Sequence, residues 1–358
     1  MRRLKRYICL VGLLALLAAA LTGCGFSDDS VEELFTLPRM AEEYTGLTQE
    51  LEALITQGYE YASPTGGRNI QSVQMADLDG DGQQEALAFF RMSSDEKPLK
   101  IFVFKIEGDS YARYCTIESS GTAIDSVYYQ DLNGDGRREL IVGWRISAEV
   151  QTVAVYTVAR EPVALMSSGY TRFTIQDLNG DGIPSLLVLR TDADSQPVAE
   201  FYGWQDEQMG VAYRCVLSST MASVNRGSLV SGRLDADTPA LYITGVDEQG
   251  MAATDILVFR QDLGLVNLAL SGSSTGVSNA VFPYRQLLPQ DINGDGIIEL
   301  PSPDTSWTAE QTDGLVSWLC CNGDGQLATV AKTYHSLSCG WYFTIPVSYT
   351  HLRAHETV

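Results

Sequence analysis

The chain has few histidines and few basic residues. Three of its 358 residues are histidine, and 24 lysines and arginines face 45 aspartates and glutamates, for a net charge of −21. Triad hydrolases and most zinc hydrolases use histidine at several positions, so its scarcity disfavours these enzyme classes. A surface this acidic repels phosphate backbones, which predicts no nucleic-acid partner.

Cysteine is sparse and has no CxxC spacing, which removes the usual signature of zinc or thioredoxin-like sites. Beyond Cys9 and Cys24, the chain contains Cys115, Cys215, Cys320, Cys321 and Cys339. Two interpretations stay open: a disulfide from Cys320 or Cys321 to Cys339, or five free thiols.

The long apolar run of the chain, Ile8 to Leu21, follows a basic start and is short for a membrane span. It ends in Leu21-Thr22-Gly23-Cys24, which matches a bacterial lipobox, where cleavage before the cysteine follows its lipidation. We therefore predict a signal peptide at 1–23 and a lipidated Cys24. The protein is then attached to the outer face of the bacterial cytoplasmic membrane, at the cell surface. An uncleaved helical anchor is the alternative and places the chain on the same side.

Residues 24–57 are predicted to be a tether followed by N-terminal helices. Tyr44, Leu47, Leu51 and Leu54 recur at helical spacing, so we expect a helix over 42–57 whose apolar stripe packs on the following domain.

Four gapless repeats dominate the rest of the sequence. Their first aspartates are Asp77, Asp131, Asp177 and Asp291, at intervals of 54, 46 and 114 residues, and a decayed copy from Gly232 divides the last interval. In the first unit, short strand patterns at 73–76, 85–91, 100–106 and 111–117 surround the acidic loop. Five such units predict an all-β fold, a β-propeller of four-stranded blades over 58–347.

The acidic loops have the spacing of calcium loops. Oxygen side chains stand at the first, third, fifth and ninth positions, glycine at the sixth, and the seventh offers its carbonyl. The predicted ligands are Asp77, Asp79, Asp81, Gln83 and Glu85; Asp131, Asn133, Asp135, Arg137 and Glu139; Asp177, Asn179, Asp181 and Ile183; and Asp291, Asn293, Asp295, Ile297 and Glu299. We expect up to four structural Ca²⁺ ions, the third held more weakly because Ser185 stands at its ninth position. Plain Asn/Asp-Gly turns are the alternative.

Two further segments look similar to these loops, but we expect no metal at either. The decayed copy has Arg233 at its first position. The segment Asn322-Gly323-Asp324-Gly325 lacks acids at the first and ninth positions and is predicted to be a hairpin turn.

The loops, in the form D-L-N-G-D-G-x-x-E-L, resemble the FG-GAP/VCBS-type calcium repeats of integrin-like β-propellers. Together with the lipobox, SVEELFTLPR and VAKTYHSLSCGWYFTIP, they make the chain similar to VCBS-repeat lipoproteins of gut Clostridia. The segment SYTHLRAHETV at 348–358 resembles translated sequencing-adapter read-through. We therefore expect a non-native tail after an incomplete propeller; a disordered native tail is the alternative.

Such propellers serve adhesion, glycan binding and, as appended modules, enzymes, so the resemblance leaves function open. We favour a non-enzymatic binding or scaffolding module for a glycan or protein partner, with the membrane reached through the lipid anchor. A propeller-based enzyme acting on extracellular glycans and an extracytoplasmic assembly factor remain as alternatives. A carboxylate pair in a central channel indicates the enzyme, whereas exposed aromatic residues indicate binding.

Overall fold

A computed structural model describes residues 44–108, 110–248, 252–268, 287–303, 313–336 and 338–346. Its described helices are α1 (Thr45–Thr56) and the short α2 (Met221–Val224). All other regular elements in these ranges are β-strands arranged in five antiparallel sheets. The chain is therefore an all-β protein with a short N-terminal helix, as predicted.

Each sheet is formed by consecutive strands of one sequence repeat. Sheet 1 contains β1 (Glu60–Tyr61), β2 (Val73–Ala76), β3 (Glu85–Arg91), β4 (Leu99–Glu107) and β5 (Ser110–Ser119). Sheet 2 contains β6 (Ala123–Gln130), β7 (Glu139–Arg145), β8 (Gln151–Tyr156) and β9 (Ala164–Gly169). Sheet 3 contains β10 (Arg172–Gln176), β11 (Ser185–Thr191), β12 (Pro197–Gln205) and β13 (Gln208–Val216). Sheet 4 contains β14 (Leu229–Arg233), β15 (Pro239–Val246), β16 (Ala252–Arg260) and β17 (Gly264–Asn267). Sheet 5 contains β18 (Leu300–Pro303), β19 (Asp313–Cys321), β20 (Leu327–Ser336) and β21 (Trp341–Thr344).

The strands follow one another across every sheet in chain order. In sheet 1, β1 and β2 pair with different parts of the same edge of β3, so this sheet is also four strands wide. The four strands predicted in the first repeat are all present. The hairpin predicted at Asn322 is confirmed, since the Asn322 N–H donates to the Gln326 carbonyl at 2.9 Å between β19 and β20.

The sheets pack face to face in chain order. Strands such as β3 and β7 carry continuous apolar runs and are buried on both faces, which is the pattern of a strand between two neighbouring layers. Separate hydrophobic clusters join sheet 1 to sheet 2, sheet 2 to sheet 3, sheet 3 to sheet 4 and sheet 4 to sheet 5. Repeated sheets therefore share a core with each neighbour.

The outer face of sheet 1 is covered by α1. Leu47 and Leu54 are buried there against Phe90 and Phe102, which confirms the predicted helix and its apolar stripe. No hydrophobic cluster of the described residues joins sheet 5 to sheet 1. The described ranges thus form an open series of five sheets, without a closed ring among them.

Several predictions from the sequence lie outside the described residues. These are the signal peptide at 1–23, Cys24 with the tether that follows it, and the tail at 348–358. In the described ranges, no helix has both the length and the apolar character needed to cross a bilayer. The five cysteines of these ranges are free, so the bridge to Cys339 is not formed.

Candidate metal centre and adjoining cavity

The four acidic loops adopt one conformation. They are named loop 1 (77–85), loop 2 (131–139), loop 3 (177–185) and loop 4 (291–299). In loop 1 the Asp77 carboxylate accepts the N–H groups of Gly80 at 2.8 Å and Gly82 at 3.2 Å. The equivalent aspartates of loops 2–4 accept the same two N–H groups at 2.6–2.8 Å.

Both glycine positions are required by this conformation. Across the four loops their φ angles lie between 73° and 87°, in the left-handed region that favours glycine. The calcium-loop spacing predicts a role only for the second glycine of each loop. The first has the same backbone requirement, and its presence in all four repeats is the signal for it.

The ninth residue of loops 1, 2 and 4 is a buried glutamate. Glu85, Glu139 and Glu299 are only 2%, 4% and 1% exposed. In each loop one carboxylate oxygen accepts the N–H of the second loop residue, at 2.7 Å, 2.8 Å and 3.0 Å respectively. Burial raises the pKa of all three carboxyl groups, that of Glu139 to about 7. These groups are costly to ionise without a nearby cation.

Oxygen atoms converge in loop 1. Carboxylate oxygens of Asp77, Asp79 and Glu85 lie within 4.8 Å of one another. Oε1 of Glu85 is buried, accepts no hydrogen bond and lies 3.7 Å from the Lys105 ammonium group, and Oδ1 of Asn179 in loop 3 is also buried without a hydrogen bond. These buried oxygens stand at predicted ligand positions, where a bound cation could satisfy them.

The remaining predicted ligands lie around the same loops. The fifth-position aspartates Asp81, Asp135, Asp181 and Asp295 accept the seventh-residue N–H groups of Gln83, Arg137, Ile183 and Ile297, each at 2.8 Å. The third-position asparagines Asn133, Asn179 and Asn293 donate to the fifth-position aspartates at 3.1, 2.7 and 2.9 Å. The hydrogen bonds of each predicted set lie within its own loop, but among the described residues only loop 1 brings three carboxylates close enough together to hold a metal ion.

Loop 1 is also in contact with a cation that the loop spacing does not predict. The ammonium group of Lys105, on β4, hydrogen-bonds to Asp79 and forms ion pairs with Asp81 at 3.3 Å and Glu85 at 3.7 Å. Lys105 lies 20 residues beyond Glu85, so no local motif includes it. Only the strand pairing brings it to the loop.

Loops 1, 2 and 3 form a row. A β-carbon added to Gly80 would lie 2.5 Å from the Gly136 carbonyl oxygen, and one added to Gly134 would lie 2.7 Å from Ile183. The Arg138 N–H donates to the Leu78 carbonyl at 2.7 Å. Contacts between neighbouring sheets therefore pass through the loops as well as through the hydrophobic core.

A cavity of about 740 Å³ lies beside loop 2, between the loops of sheet 1 and the β12–β13 hairpin of sheet 3. Trp204 and Tyr114 contribute aromatic surface to its lining. The ring of Trp204 is fixed because its Nε1–H donates to the Leu132 carbonyl at 2.8 Å. The Arg160 guanidinium lies 5.5 Å from the Tyr114 ring centroid.

The polar lining of this cavity has both donors and acceptors. Arg137 and Arg138 contribute guanidinium groups that form no ion pair with any described residue. Asp206 and Glu207, in the β12–β13 turn, contribute exposed carboxylates. The cavity thus combines fixed aromatic surface with free hydrogen-bonding groups.

No family model matches the chain, and no curated protein matches it. Among solved structures, a rhamnogalacturonan lyase PL11 of Bacillus licheniformis is 15% identical with a TM-score of 0.36, over 80% of this chain and 51% of the lyase. This chain therefore spans about half the length of the lyase. A hypothetical protein from Leishmania major is 11% identical with a TM-score of 0.26, over 78% of this chain and 92% of that protein. The GDP-Man-dependent mannosyltransferase MPT-1 of Leishmania mexicana is 9% identical with a TM-score of 0.20, over 87% and 96% of the two chains. TM-scores this low identify neither a shared fold nor a shared function.

Proposed function

We propose that this chain is a calcium-stabilised, surface-anchored module that binds a glycan in the cavity beside loop 2. The five stacked sheets are, in this proposal, successive blades of a β-propeller, and the lipid on Cys24 anchors them to the membrane. The observation that carries the proposal is the cavity itself, in which Trp204 and free polar groups adjoin a loop with calcium-ligand spacing.

Calcium is the cation that suits the loops. Their side chains supply hard oxygen ligands from carboxylates and amides, the donor set that Ca²⁺ accepts in flexible coordination. A bound ion satisfies Oε1 of Glu85 and Oδ1 of Asn179, which are buried without hydrogen bonds. It also neutralises the buried glutamates, so metal binding and folding are coupled. The ligands are those predicted from the sequence, with loop 3 weakest because Ser185 replaces the glutamate.

A glycan is the ligand class that suits the cavity. Its volume lies within the usual range for small-molecule sites, and its concave shape is less typical of a flat protein–protein interface. The apolar faces of a sugar pack on aromatic rings such as Trp204, and sugar hydroxyls pair with guanidinium and carboxylate groups. Because Glu139 of loop 2 lines the same cavity, calcium in that loop sets the charge and shape of the site.

The test is glycan binding by the full-length protein in calcium, first on a set of defined neutral and acidic oligosaccharides and then by calorimetry. We expect Trp204→Ala to weaken binding by up to about tenfold, since packing on an aromatic ring contributes about 0.5–1.5 kcal/mol. Trp341→Ala is the matched control, because Trp341 is 48% exposed on β21 and does not line the cavity.

Equal binding by Trp204→Ala and the wild type contradicts the proposed site. Loss of binding in Trp341→Ala but not in Trp204→Ala would indicate that the glycan binds at sheet 5 instead. Binding to none of the oligosaccharides, by a protein that melts cooperatively in calcium, would refute glycan recognition and favour a protein partner.

A further inference from the structure

We infer that Lys105 is an internal competitor for calcium at loop 1, so that loop 1 binds the ion more weakly than loops 2 and 4 despite its better ligand set. This inference rests on the proposed calcium loops. The sequence alone ranks loop 1 first, because it alone has carboxylates at its first, third, fifth and ninth positions.

The ammonium group of Lys105 occupies the region where the ligands converge. It contacts Asp79, Asp81 and Glu85, three of the four side-chain ligands predicted for this loop. A lysine side chain is ordinarily charged at neutral pH, and neighbouring carboxylates favour its charged form. Loop 1 therefore contains a covalently tethered cation, which a calcium ion must displace before it binds.

Strand register explains why only loop 1 has this feature. Ala86 pairs with Phe104, which places Lys105 directly opposite Glu85 at the end of the β3–β4 pair. In sheet 2, Leu140 of β7 pairs with Tyr156 of β8. Extending this register by one residue places Thr157 opposite Glu139.

Loops 3 and 4 also lack a lysine at the corresponding position. Gly203 stands opposite Ser185, and Cys320 stands opposite Glu299. Among the four loops, the residue opposite the ninth position is basic only in loop 1.

Charge balance gives the consequence for the metal-free protein. In loop 1 the lysine partly neutralises the carboxylates, so this loop keeps its conformation without metal. The residue equivalent to Lys105 in loop 2 is neutral, and Glu139 stays buried without a cation on that strand. Without metal, loop 1 is thus the most stable loop of the row. Loop 2 packs against it through Gly80 and Gly136, and the conformation of loop 2 depends on the ion.

The experiment is a calcium titration of the full-length chain by calorimetry, with bound calcium counted after dialysis. Lys105→Thr introduces into loop 1 the residue that loop 2 has, and Thr157→Lys makes the reverse change. Lys97→Thr is the control. Lys97 is an exposed lysine in the β3–β4 turn, so this substitution removes the same charge at a position away from the loops. Each variant is also melted in EDTA and in calcium.

We expect Lys105→Thr to bind calcium at loop 1 about tenfold or more tightly than the wild type, seen as one additional tight ion per chain. In EDTA this variant melts at a lower temperature than the wild type, and its calcium-induced rise is larger. Thr157→Lys loses one tight ion, and Lys97→Thr leaves the ion count unchanged.

Unchanged stoichiometry and affinity in Lys105→Thr, with normal calcium binding by the wild type, would overturn this inference alone. If Lys105→Thr does not fold in EDTA, Thr157→Lys still tests the competition, and retention of its tight ion contradicts it. Failure of the wild type to bind any calcium would refute the calcium loops of the proposed function instead.

Discussion

Glu139→Gln is predicted to have opposite effects on stability with and without calcium. Glu139 is 4% exposed, and burial raises its pKa from 4.5 to about 7. At pH 8 the metal-free protein therefore carries a buried charge whose ionisation costs roughly 2 kcal/mol once partial solvent screening is allowed for. Glutamine keeps an oxygen for the Leu132 N–H but has no charge, so the variant gains about 1–2 kcal/mol in EDTA.

Calcium reverses this order. When the free calcium concentration is a hundred times the Kd of a site, binding at that site adds about 2.7 kcal/mol to the free energy of unfolding. The variant loses most of this contribution at loop 2, which exceeds its gain in EDTA, and becomes less stable than the wild type by about 1 kcal/mol. A chain of this length shifts its melting temperature by roughly 1–2 °C for each kcal/mol, so the order of the two melting temperatures reverses, with a difference of about 1–3 °C in each buffer.

The assay is thermal unfolding of the full-length chain at pH 8, in EDTA and in calcium, followed by circular dichroism. Glu161→Gln is the control, because Glu161 is exposed and lies outside the loops, so the same charge change should leave both melting temperatures nearly unchanged. A variant that is less stable than the wild type in both buffers, or more stable in both, would refute the reasoning.

Two further predictions concern the sheets and the row of loops. Arg190→Met leaves Glu200, which is 2% exposed, without the guanidinium that binds it at 2.7 and 2.8 Å. We expect the free energy of chemical unfolding to fall by about 3 kcal/mol. The Arg190→Lys control keeps the charge but not the paired hydrogen bonds, so it should lose only part of this stability. Gly80→Ala and Gly82→Ala introduce similar backbone strain at φ angles of 76° and 86°, but only the first places a β-carbon against the Gly136 carbonyl. Gly80→Ala should therefore destabilise by about 1–3 kcal/mol more, and equal melting temperatures would contradict the loop–loop contact.

Much of the fold follows from the repeat. Strands such as β3 combine an acidic loop before them with an apolar run inside them, so their position and their burial are both visible in the sequence. The helix α1 is equally visible, because Leu47 and Leu54 lie on one helical face. The four loop conformations follow from their aspartates and glycines, whose roles are local.

Features that depend on pairing between distant residues were not predicted. Lys105 reaches loop 1 only through the register of β3 with β4, and that register is set by packing along the whole hairpin. The cavity brings Tyr114 of sheet 1 and Trp204 of sheet 3 into one lining. No spacing within the sequence relates these two aromatic residues, because their proximity results from the stacking of three sheets.

The number of calcium ions bound tightly by the full-length chain tests the central claim most directly. The measurement is calorimetric titration of calcium into EDTA-treated protein, repeated with magnesium. We predict at least two tight ions per chain, at loops 2 and 4, with weaker binding at loops 1 and 3 and much weaker binding of magnesium. A cooperatively folded chain that binds no calcium, or whose melting temperature is the same in calcium and EDTA, would contradict the account.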